Sequence, residues 1–365
     1  MEIRVPEEIV GQIFSKLPAK SLLRFKCLSK SLNSLISSPN FIRSHVPRSQ
    51  GDLPKFVCGS YFFDVNTAVE AKPVKSPLKQ QLPFLNQTNH KILCSCDGLI
   101  LLRARINTPT LYSKDNEANA LRMCVSWDFS SNNSVSGADF DSNYYSIIVW
   151  NPLIREYRIL PMPASGDYVS YGLGYDSVTD DYKVVQCGYS KNHLIKQNAL
   201  IVLSLKSNSM RKHENLKFNI SYGQAGTFLH GALHWVAELA NSGWVADFAN
   251  SGKIIVAFNL ADEKIVQLKL PKDNNGVRGN KYELSVIKGC LCYYTISRNS
   301  TFCLNIWAMK EYGNAVFMVS KLCGGNAKLI RYDLKNKKLK TFETFERVLP
   351  IMVSFMESLV SPISN

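Results

Sequence analysis

Residues 147–161, IIVWNPLIREYRILP, hold two apolar runs separated by the turn-forming pair Asn151-Pro152. Short apolar and aromatic runs bounded by such residues are typical of β-strands joined in a hairpin. The same arrangement recurs as LIVLSLKSNSM at 200–210, IIVAFNLADEKIVQLKLP at 254–271 and LIRYDLKNKKLKTF at 329–342. These stretches predict that the larger part of the chain is built from strand–turn–strand units.

The turn-forming residues of the four stretches recur along the chain. They lie 53, 55 and 74 residues apart, at Asn151, Ser204, Asn259 and Asp333. Kelch-type propeller blades repeat at about 50 residues, and each blade buries its faces only against its neighbours. We therefore predict an all-β propeller with about six degenerate blades. An irregular β-sandwich is the alternative.

A second pattern places a glycine inside an apolar run. It occurs as ILCSCDGLILL around Gly98, GTFLHGALHWV around Gly231 and LSVIKGCLCYY around Gly289. We interpret each run as a strand that carries a central glycine. The polar segment from 104 to 143 is weakly patterned and predicts long loops.

Three pairs of side chains in these runs raise the question of a metal site. The pairs are Cys94 with Cys96, Cys290 with Cys292, and His230 with His234. Alternate residues of a strand share a face, so core packing explains the cysteines better than zinc does. The histidines would also share a strand face, but no glutamate motif lies nearby. We predict no metal and no cofactor.

The first 46 residues have a helical rather than a strand pattern. Residues 5–18, VPEEIVGQIFSKLP, carry one apolar stripe at helical spacing. The stripe consists of Ile9, Ile13 and Leu17, with Val10 and Phe14 beside it. Pro6 suits the first turn of a helix, and Pro18 stops the helix at Leu17.

Three more helices are predicted after this one. The second runs from about Ala19 to Phe25. Ser29 is a plausible N-cap for the third, which ends at Ser38-Pro39. A short last helix would hold Phe41 and Ile42.

A module this small has more large apolar residues than it can bury by itself. Domains of this size usually need a metal, disulfides or a partner, and a lone Cys27 supplies neither of the first two. The surplus apolar surface indicates a partner protein. Docking of the helices on the chain's own β domain is the alternative, and the residues alone do not decide between the two.

The composition limits the remaining classes. The 365 residues include 45% hydrophobic and 11% aromatic residues, enough for a packed core. No apolar run reaches about 18 residues, and the charged start MEIRVPEEIV lacks the apolar region of a secretory signal, so we expect the cytosol or nucleus. There the 10 cysteines are expected as thiols. The net charge of +14 suggests an acidic partner, although the basic residues are spread along the chain and favour nucleic acid little.

The stretch PEEIVGQIFSKLPAKSLLRFKCLSKSLNSLISSPNFIRSH at 6–45 resembles the F-box, particularly its plant form. F-box motifs bind the Skp adaptor of cullin–RING (SCF) ubiquitin ligases, so the resemblance implies Skp and, through it, cullin as partners. By position it implies that the adaptor-facing and core residues are Pro6, Ile9, Ile13, Leu17, Pro18, Ser21, Leu22, Phe25, Cys27, Ser29 and Leu32. The family usually has a tryptophan where this chain has Leu32, and a smaller side chain would weaken the module if that site is buried.

Segments farther along resemble the plant F-box-associated (kelch-like) domain, in the superfamily that includes the S-locus F-box proteins. They are LCSCDGLILL, VWNPLIREYRILP, YGLGYDSVTDDYKVV, FLHGALHWV, FNLADEKIVQLKLP, IWAMKEYG and LIRYDLKNKKLK. The resemblance implies an F-box at 1–46, a linker at 47–55 and a kelch-like propeller at 56–360. After IWAMKEYG the family usually has a further strand and some tens of residues before the Tyr-Asp turn. Only NAVFMVSKLCGGNAK stands there in this chain, which would leave the propeller incompletely closed.

The resemblance implies a non-catalytic, substrate-recognising subunit of an SCF-type ubiquitin ligase. Its β domain would bind a target protein that the sequence does not identify. Neither a G-x-S-x-G elbow nor a GxxxxGK[ST] phosphate loop is present. Two alternatives stay open: an enzyme housed in a propeller, and a basic propeller scaffold that binds nucleic acid or acidic proteins without ligase function.

Overall fold

The computed structural model of the chain describes residues 7–49, 55–58, 61–64, 74–75, 81–82, 85–106, 145–162, 169–189, 198–214, 216–220, 224–239, 253–270, 281–287, 289–297, 303–309, 322–323, 327–333, 338–345, 352–355 and 357–363. The chain divides into two compact units, Met1–Ser165 with Leu349–Asn365, and Gly166–Val348. Within the described ranges, no helix is long and apolar enough to cross a membrane. The segment predicted to form long loops falls mostly at 107–144, outside the described residues.

Four helices form the N-terminal module: α1 (Glu7–Phe14), α2 (Ala19–Lys26), α3 (Lys30–Ser37) and α4 (Pro39–Ser49). The predicted N-cap of α3 is confirmed, because the Ser29 hydroxyl accepts a hydrogen bond from the Leu32 N–H at 3.1 Å. Helix α4 is longer than the short helix predicted. Pro39 ends α3 as predicted, and it also suits the first turn of α4, where a missing N–H costs nothing. Ser38 then caps α4 by accepting a hydrogen bond from the Phe41 N–H.

The described residues also form 23 strands. In the first unit these are β1 (Lys55–Cys58), β2 (Tyr61–Asp64), β3 (Val74–Lys75), β4 (Leu85–Cys96), β5 (Leu99–Ile106), β6 (Tyr145–Asn151) and β7 (Glu156–Leu160). In the second unit they are β8 (Val169–Asp176), β9 (Asp181–Tyr189), β10 (Asn198–Ser204), β11 (Met210–His213), β12 (Phe218–Ile220), β13 (Ala225–Leu229), β14 (Ala232–Leu239), β15 (Lys253–Asn259), β16 (Ile265–Lys269), β17 (Lys281–Ile287), β18 (Cys290–Ser297), β19 (Cys303–Ala308), β20 (Leu322–Cys323), β21 (Ala327–Asp333) and β22 (Lys338–Phe345). Strand β23 (Met352–Phe355) belongs to the first unit.

The strands pair into six antiparallel groups. The groups are β1–β3 with β23, β4–β7, β8–β11, β12–β16, β17–β20 and β21–β22. The third and fourth groups are joined by a short parallel pairing in which Tyr171 and Gly172 of β8 lie opposite Ala225 and Gly226 of β13. Helices followed by repeated antiparallel groups agree with the predicted fold class. The described residues of the last group form two strands, β21 and β22.

Strand β23 joins the two ends of the β domain. It pairs with β1, so that Lys55 lies opposite Phe355 and Cys58 opposite Met352. An edge strand that is paired in this way no longer presents free N–H and C=O groups on that side. The stretch where the sequence is shorter than the family's is 314–328, and the structure describes residues 322–323 and 327–328 of it.

The interpretation of the glycine-bearing runs as single strands is wrong. Cys96 pairs with Leu99 across Asp97-Gly98, and Leu229 pairs with Ala232 across His230-Gly231, so each run is a hairpin. Asp97 and His230 have φ of 47° and 49°, and Gly98 and Gly231 have φ of 83° and 74°. Two-residue hairpin turns need positive φ at both central positions, which explains glycine at the second. Gly289 (φ 73°) follows the same rule between β17 and β18.

A backbone hydrogen bond repeats in three of the groups. The residue just after one strand (β10, β15 or β19) donates its N–H to a carbonyl near the start of the preceding strand (β9, β14 or β18). The pairs are Leu205 to Tyr182, Leu260 to Gly231, and Met309 to Leu291, at 2.9, 3.0 and 2.9 Å. Met309 therefore marks a repeat inside the 74-residue interval between Asn259 and Asp333, and the sequence pattern missed it.

A buried ion pair lies between the third and fourth groups. Lys183 Nζ of β9 is 2.8 Å from Asp176 Oδ2, and the two side chains are 2% and 0% exposed. The same ammonium donates to the Leu260 carbonyl at 2.5 Å. Asp176 also accepts hydrogen bonds from the Val178 N–H and the Thr179 hydroxyl. Burial tends to raise the pKa of Asp176, but these hydrogen bonds outweigh it and the pKa is lowered.

Candidate functional site

One face of α1 is bare. Ile9 and Ile13, one helical turn apart, are 47% and 53% exposed. Leu28, just after α2, is 68% exposed. On the opposite side of α1, Phe14 packs with its ring centroid 5.0 Å from that of Phe25. Neighbouring exposed apolar side chains mark surfaces that partners cover, and here they adjoin a helix whose other face is already packed.

The remaining apolar residues of the module form a core with the β domain. Leu22 and Ile36 are fully buried, and Leu359 from beyond β23 is buried against them. Leu153 and Ile154, in the turn between β6 and β7, pack on the same cluster. The chain's own β domain therefore accounts for part of the surplus apolar surface. The β domain covers α2 and α3, and the face of α1 stays uncovered.

Asn151 holds both β-domain elements of this core. Its Nδ2 donates to the carbonyls of Ser358 at 3.0 Å and Val360 at 2.8 Å, the residues on either side of Leu359. Its Oδ1 accepts from the Leu153 N–H at 2.9 Å, which shapes the turn that carries Leu153 and Ile154. The asparagine side chain is buried, so three of its four hydrogen-bonding sites are used within the protein.

Two further contacts attach the segment 357–363 to the hairpins of the first unit. The Ser358 hydroxyl donates to the Asp97 carbonyl, and the Ser361 hydroxyl donates to the Glu156 carboxylate. Lys26 of α2 also lies near Glu156. Burial lowers the pKa of Lys26, and the carboxylate of Glu156 opposes that shift. The helical module, the β6–β7 turn and the segment 357–363 thus form one packed assembly.

The structure separates the predicted adaptor-facing and core residues by exposure. Exposed residues are Ile9, Ile13, Pro18, Cys27 and Ser29; half-buried residues are Leu17, Ser21, Phe25 and Leu32; Leu22 is fully buried. Leu22 therefore belongs to the core and not to the surface. Leu32, in place of the usual tryptophan, packs at the edge of the same core. Pro6 lies outside the described residues.

The module is also strongly basic, a feature that whole-chain charge conceals. Residues 1–46 contain seven Lys or Arg and three Glu, and all three Glu precede Ile9. Lys16, Lys20, Arg24 and Lys30 are exposed. A cluster of one sign attracts a partner of the opposite sign and accelerates its association. The helices after α1 are thus basic, whereas α1 itself begins with the acidic pair Glu7 and Glu8 next to Ile9.

The histidine pair considered above as a metal site is not brought together on one strand face. His230 is exposed at a hairpin turn while His234 is buried on β14, so the two do not share a strand face. His234 Nδ1 lies 3.0 Å from the Thr227 carbonyl, and burial lowers its pKa to about 4. Cys94, Cys96 and Cys292 are buried and form no disulfide. Among the described residues, no group of three or more His, Cys, Asp or Glu could hold a metal ion.

Comparison with known families places both parts of the chain. Residues 3–44 match the F-box domain. Residues 92–344 match the F-box associated beta propeller domain. The chain belongs to the F-box associated beta propeller family. The predicted resemblance and fold class are confirmed: a small helical F-box precedes a propeller-like β domain.

Several plant F-box proteins are similar over most of the chain. F-box protein CPR1 of Arabidopsis thaliana is 28% identical, over 92% of this chain and 84% of that protein. An F-box/kelch-repeat protein of the same plant is 25% identical, over 87% of this chain and 78% of its own length. Among solved structures, Porphyromonas gingivalis dipeptidyl peptidase 4 matches with 10% identity, a TM-score of 0.30, and coverage of 76% of this chain and 47% of that chain. That score is too low to carry an argument. The family supports the role of an F-box substrate receptor.

Proposed function

We propose that this F-box protein is the substrate-recognition subunit of an SCF-type (Skp–cullin–F-box) ubiquitin ligase. The observation that carries the proposal is the bare face of α1, where Ile9 and Ile13 stay exposed beside a core that is otherwise packed. The F-box docks on a Skp adaptor through this face, and cullin joins through the adaptor. The exposed Lys20, Arg24 and Lys30 of the module favour an acidic adaptor surface.

The β domain holds the target protein and performs no chemistry of its own. A target bound there has its lysines near a charged ubiquitin carrier, which raises their effective concentration. Ubiquitin transfer is then limited by geometry and proximity, which a receptor can supply without a catalytic residue. The complex acts in the cytosol or nucleus, a location that suits reduced cysteines such as Cys187.

A substitution on the α1 face tests the adaptor contact. Ile13→Glu places a charge where the proposal requires an apolar contact, and the adaptor affinity should fall by about tenfold or more. The matched control is Val178→Glu, because Val178 is 77% exposed in a turn of the second unit. Purified adaptor is titrated against each full-length variant and the dissociation constant is measured. Equal affinities for the two variants would contradict the proposal.

A basic scaffold without ligase function is the second candidate, and the net charge of +14 favours it. Such a protein would bind nucleic acid or acidic proteins through its positive surface. Nucleic-acid binding would fall steeply with rising salt, because bound phosphates release counterions. Titration with duplex DNA and with single-stranded RNA at two salt concentrations separates the candidates. Tight, salt-sensitive binding together with failure to bind the adaptor supports the scaffold.

A further inference from the structure

We propose that residues 357–363 complete the F-box, so that the adaptor is captured only by a chain in which this segment has docked. The inference rests on the proposed function for its consequence, but its structural part stands on the packing of the helical module. Residues 357–363 come after all the described strands in the sequence. They nevertheless supply part of the core of the N-terminal helices.

Leu359 is the centre of this arrangement. It is 3% exposed and lies in one cluster with Ala19 and Leu22 of α2, Ile36 of α3 and Phe41 of α4. Four short helices cannot bury their large apolar side chains among themselves, and a small module of this kind usually needs outside surface to be stable. Leu359, with Leu153 and Ile154, supplies that surface.

The position of Leu359 is set by Asn151. The two hydrogen bonds from Asn151 Nδ2 hold the carbonyls before and after Leu359, which fixes the backbone that presents its side chain. The Ser358 hydroxyl adds a contact to the turn at Asp97. The segment is therefore bound to two hairpins of the β domain while its leucine enters the helical core.

This connection links adaptor capture to the state of the β domain. Residues 357–363 are synthesised after all described strands, and they dock on hairpins that must already be in place. When they are undocked, the helices lose part of their core, and the apparent adaptor affinity falls with the fraction of molecules that hold the binding conformation. A chain whose β domain is truncated or misfolded would then bind the adaptor weakly and would not compete with intact receptors for it.

The test compares two substitutions within the segment in the full-length protein. Leu359→Asp puts a charge into the helical core, whereas Ile363→Asp is the matched control because Ile363 is 49% exposed. Asn151→Asp is a second test variant: it keeps the Oδ1 acceptor and replaces the donor to Ser358 and Val360. Its control is Asn259→Asp, since Asn259 shapes the equivalent turn after β15 by accepting at Oδ1 from the Ala261 N–H.

Two readouts are needed: the dissociation constant for purified Skp adaptor, and hydrogen exchange of α2, α3, β14 and β15. We expect Leu359→Asp and Asn151→Asp to weaken adaptor binding by about tenfold or more and to lose protection in α2 and α3, while β14 and β15 stay protected. The two controls should match the unsubstituted protein in both readouts.

Three outcomes would overturn the inference. One is unchanged adaptor affinity in Leu359→Asp, another is unchanged protection in α2 and α3, and the third is equal loss of protection in β14 and β15. The proposed function fails in a different way, if the unsubstituted chain does not bind the adaptor at all. In that case hydrogen exchange still shows whether residues 357–363 complete the helical module.

Discussion

Replacement of Lys183 by methionine is a direct test of the packing in the second unit. The ammonium of Lys183 contacts the Asp176 carboxylate at 2.8 Å and the Leu260 carbonyl at 2.5 Å, and both charged side chains are almost fully buried. Methionine nearly matches lysine in length, so Lys183→Met removes the charge and leaves little empty space. What it leaves behind is a buried carboxylate without its cation and a carbonyl without its donor.

The expected cost follows from those two uncompensated groups. Breaking a buried pair by removing one partner costs about 3–5 kcal/mol, because the remaining charge stays desolvated. Lys206→Met is the matched control: Lys206 is 59% exposed and its Nζ lies 3.6 Å from Asp180 Oδ2. Surface pairs of that kind contribute about 0–1 kcal/mol. The structure thus predicts a difference of several kcal/mol between two Lys→Met substitutions, one in β9 and one in the turn after β10.

The assay is urea unfolding with hydrogen exchange of β8, β9 and β15 read at each urea concentration. Lys183→Met should lower the midpoint of these strands far more than Lys206→Met. Adding Asp176→Asn should recover part of the loss, since it removes the orphaned charge and keeps an acceptor for the Val178 N–H. If Lys183→Met costs no more than Lys206→Met, the ion pair is not the buried, paired interaction described above.

Three other predictions concern single groups. Gly226→Ala should destabilise the protein by about 1–3 kcal/mol, because a Cβ there would lie 2.6 Å from Trp235. Gly11→Ala should instead stabilise α1 by up to about 1 kcal/mol, because a Cβ there would meet nothing within 4 Å. Thermal unfolding of the two variants tests this difference. His234 stays neutral in the fold down to about pH 4, whereas it gains a proton near pH 6.5 when the chain is unfolded. The stability of the fold should therefore decrease as the pH drops from 6.5 toward 4. Urea midpoints measured over this pH range should change less in His234→Asn. Because the pKa of Asp176 is lowered in the fold, its carboxylate stabilises the fold at pH values above the ordinary pKa of 3.8. This contribution should be lost as the pH falls below 3.8. Acid titration of unfolding should show no such contribution in Asp176→Asn.

The local parts of the fold could be predicted from the sequence because their causes are local. Ser29 caps α3 through a bond to a residue three positions away, and Asn151 and Asn259 shape turns through N–H groups two positions away. The hairpin turns at Gly98 and Gly231 could also have been read from the Asp-Gly and His-Gly pairs. The apolar residues on both sides hid them by forming one continuous run.

The site depends on contacts that no spacing could reveal. The stripe on α1 was predicted, but the sequence does not say that Phe14 is covered while Ile9 and Ile13 are not. Asn151 was predicted to form a turn, yet its amide group also holds residues 207 and 209 positions away. Lys183 and Asp176 resemble surface residues in a polar turn, and only packing around them shows that both are buried.

The repeated bonds from Leu205, Leu260 and Met309 have a consequence for how such receptors can diverge. The donor and the acceptor are main-chain atoms, which every residue but proline supplies in full, so the bond survives almost any change of side chain. At the corresponding place after β6 stands Pro152, which has no N–H to donate; its carbonyl accepts a hydrogen bond from the Gln81 side chain. A bond between main-chain atoms places little restriction on the side chains at its two ends, so related receptors can keep this part of the framework while their loops change.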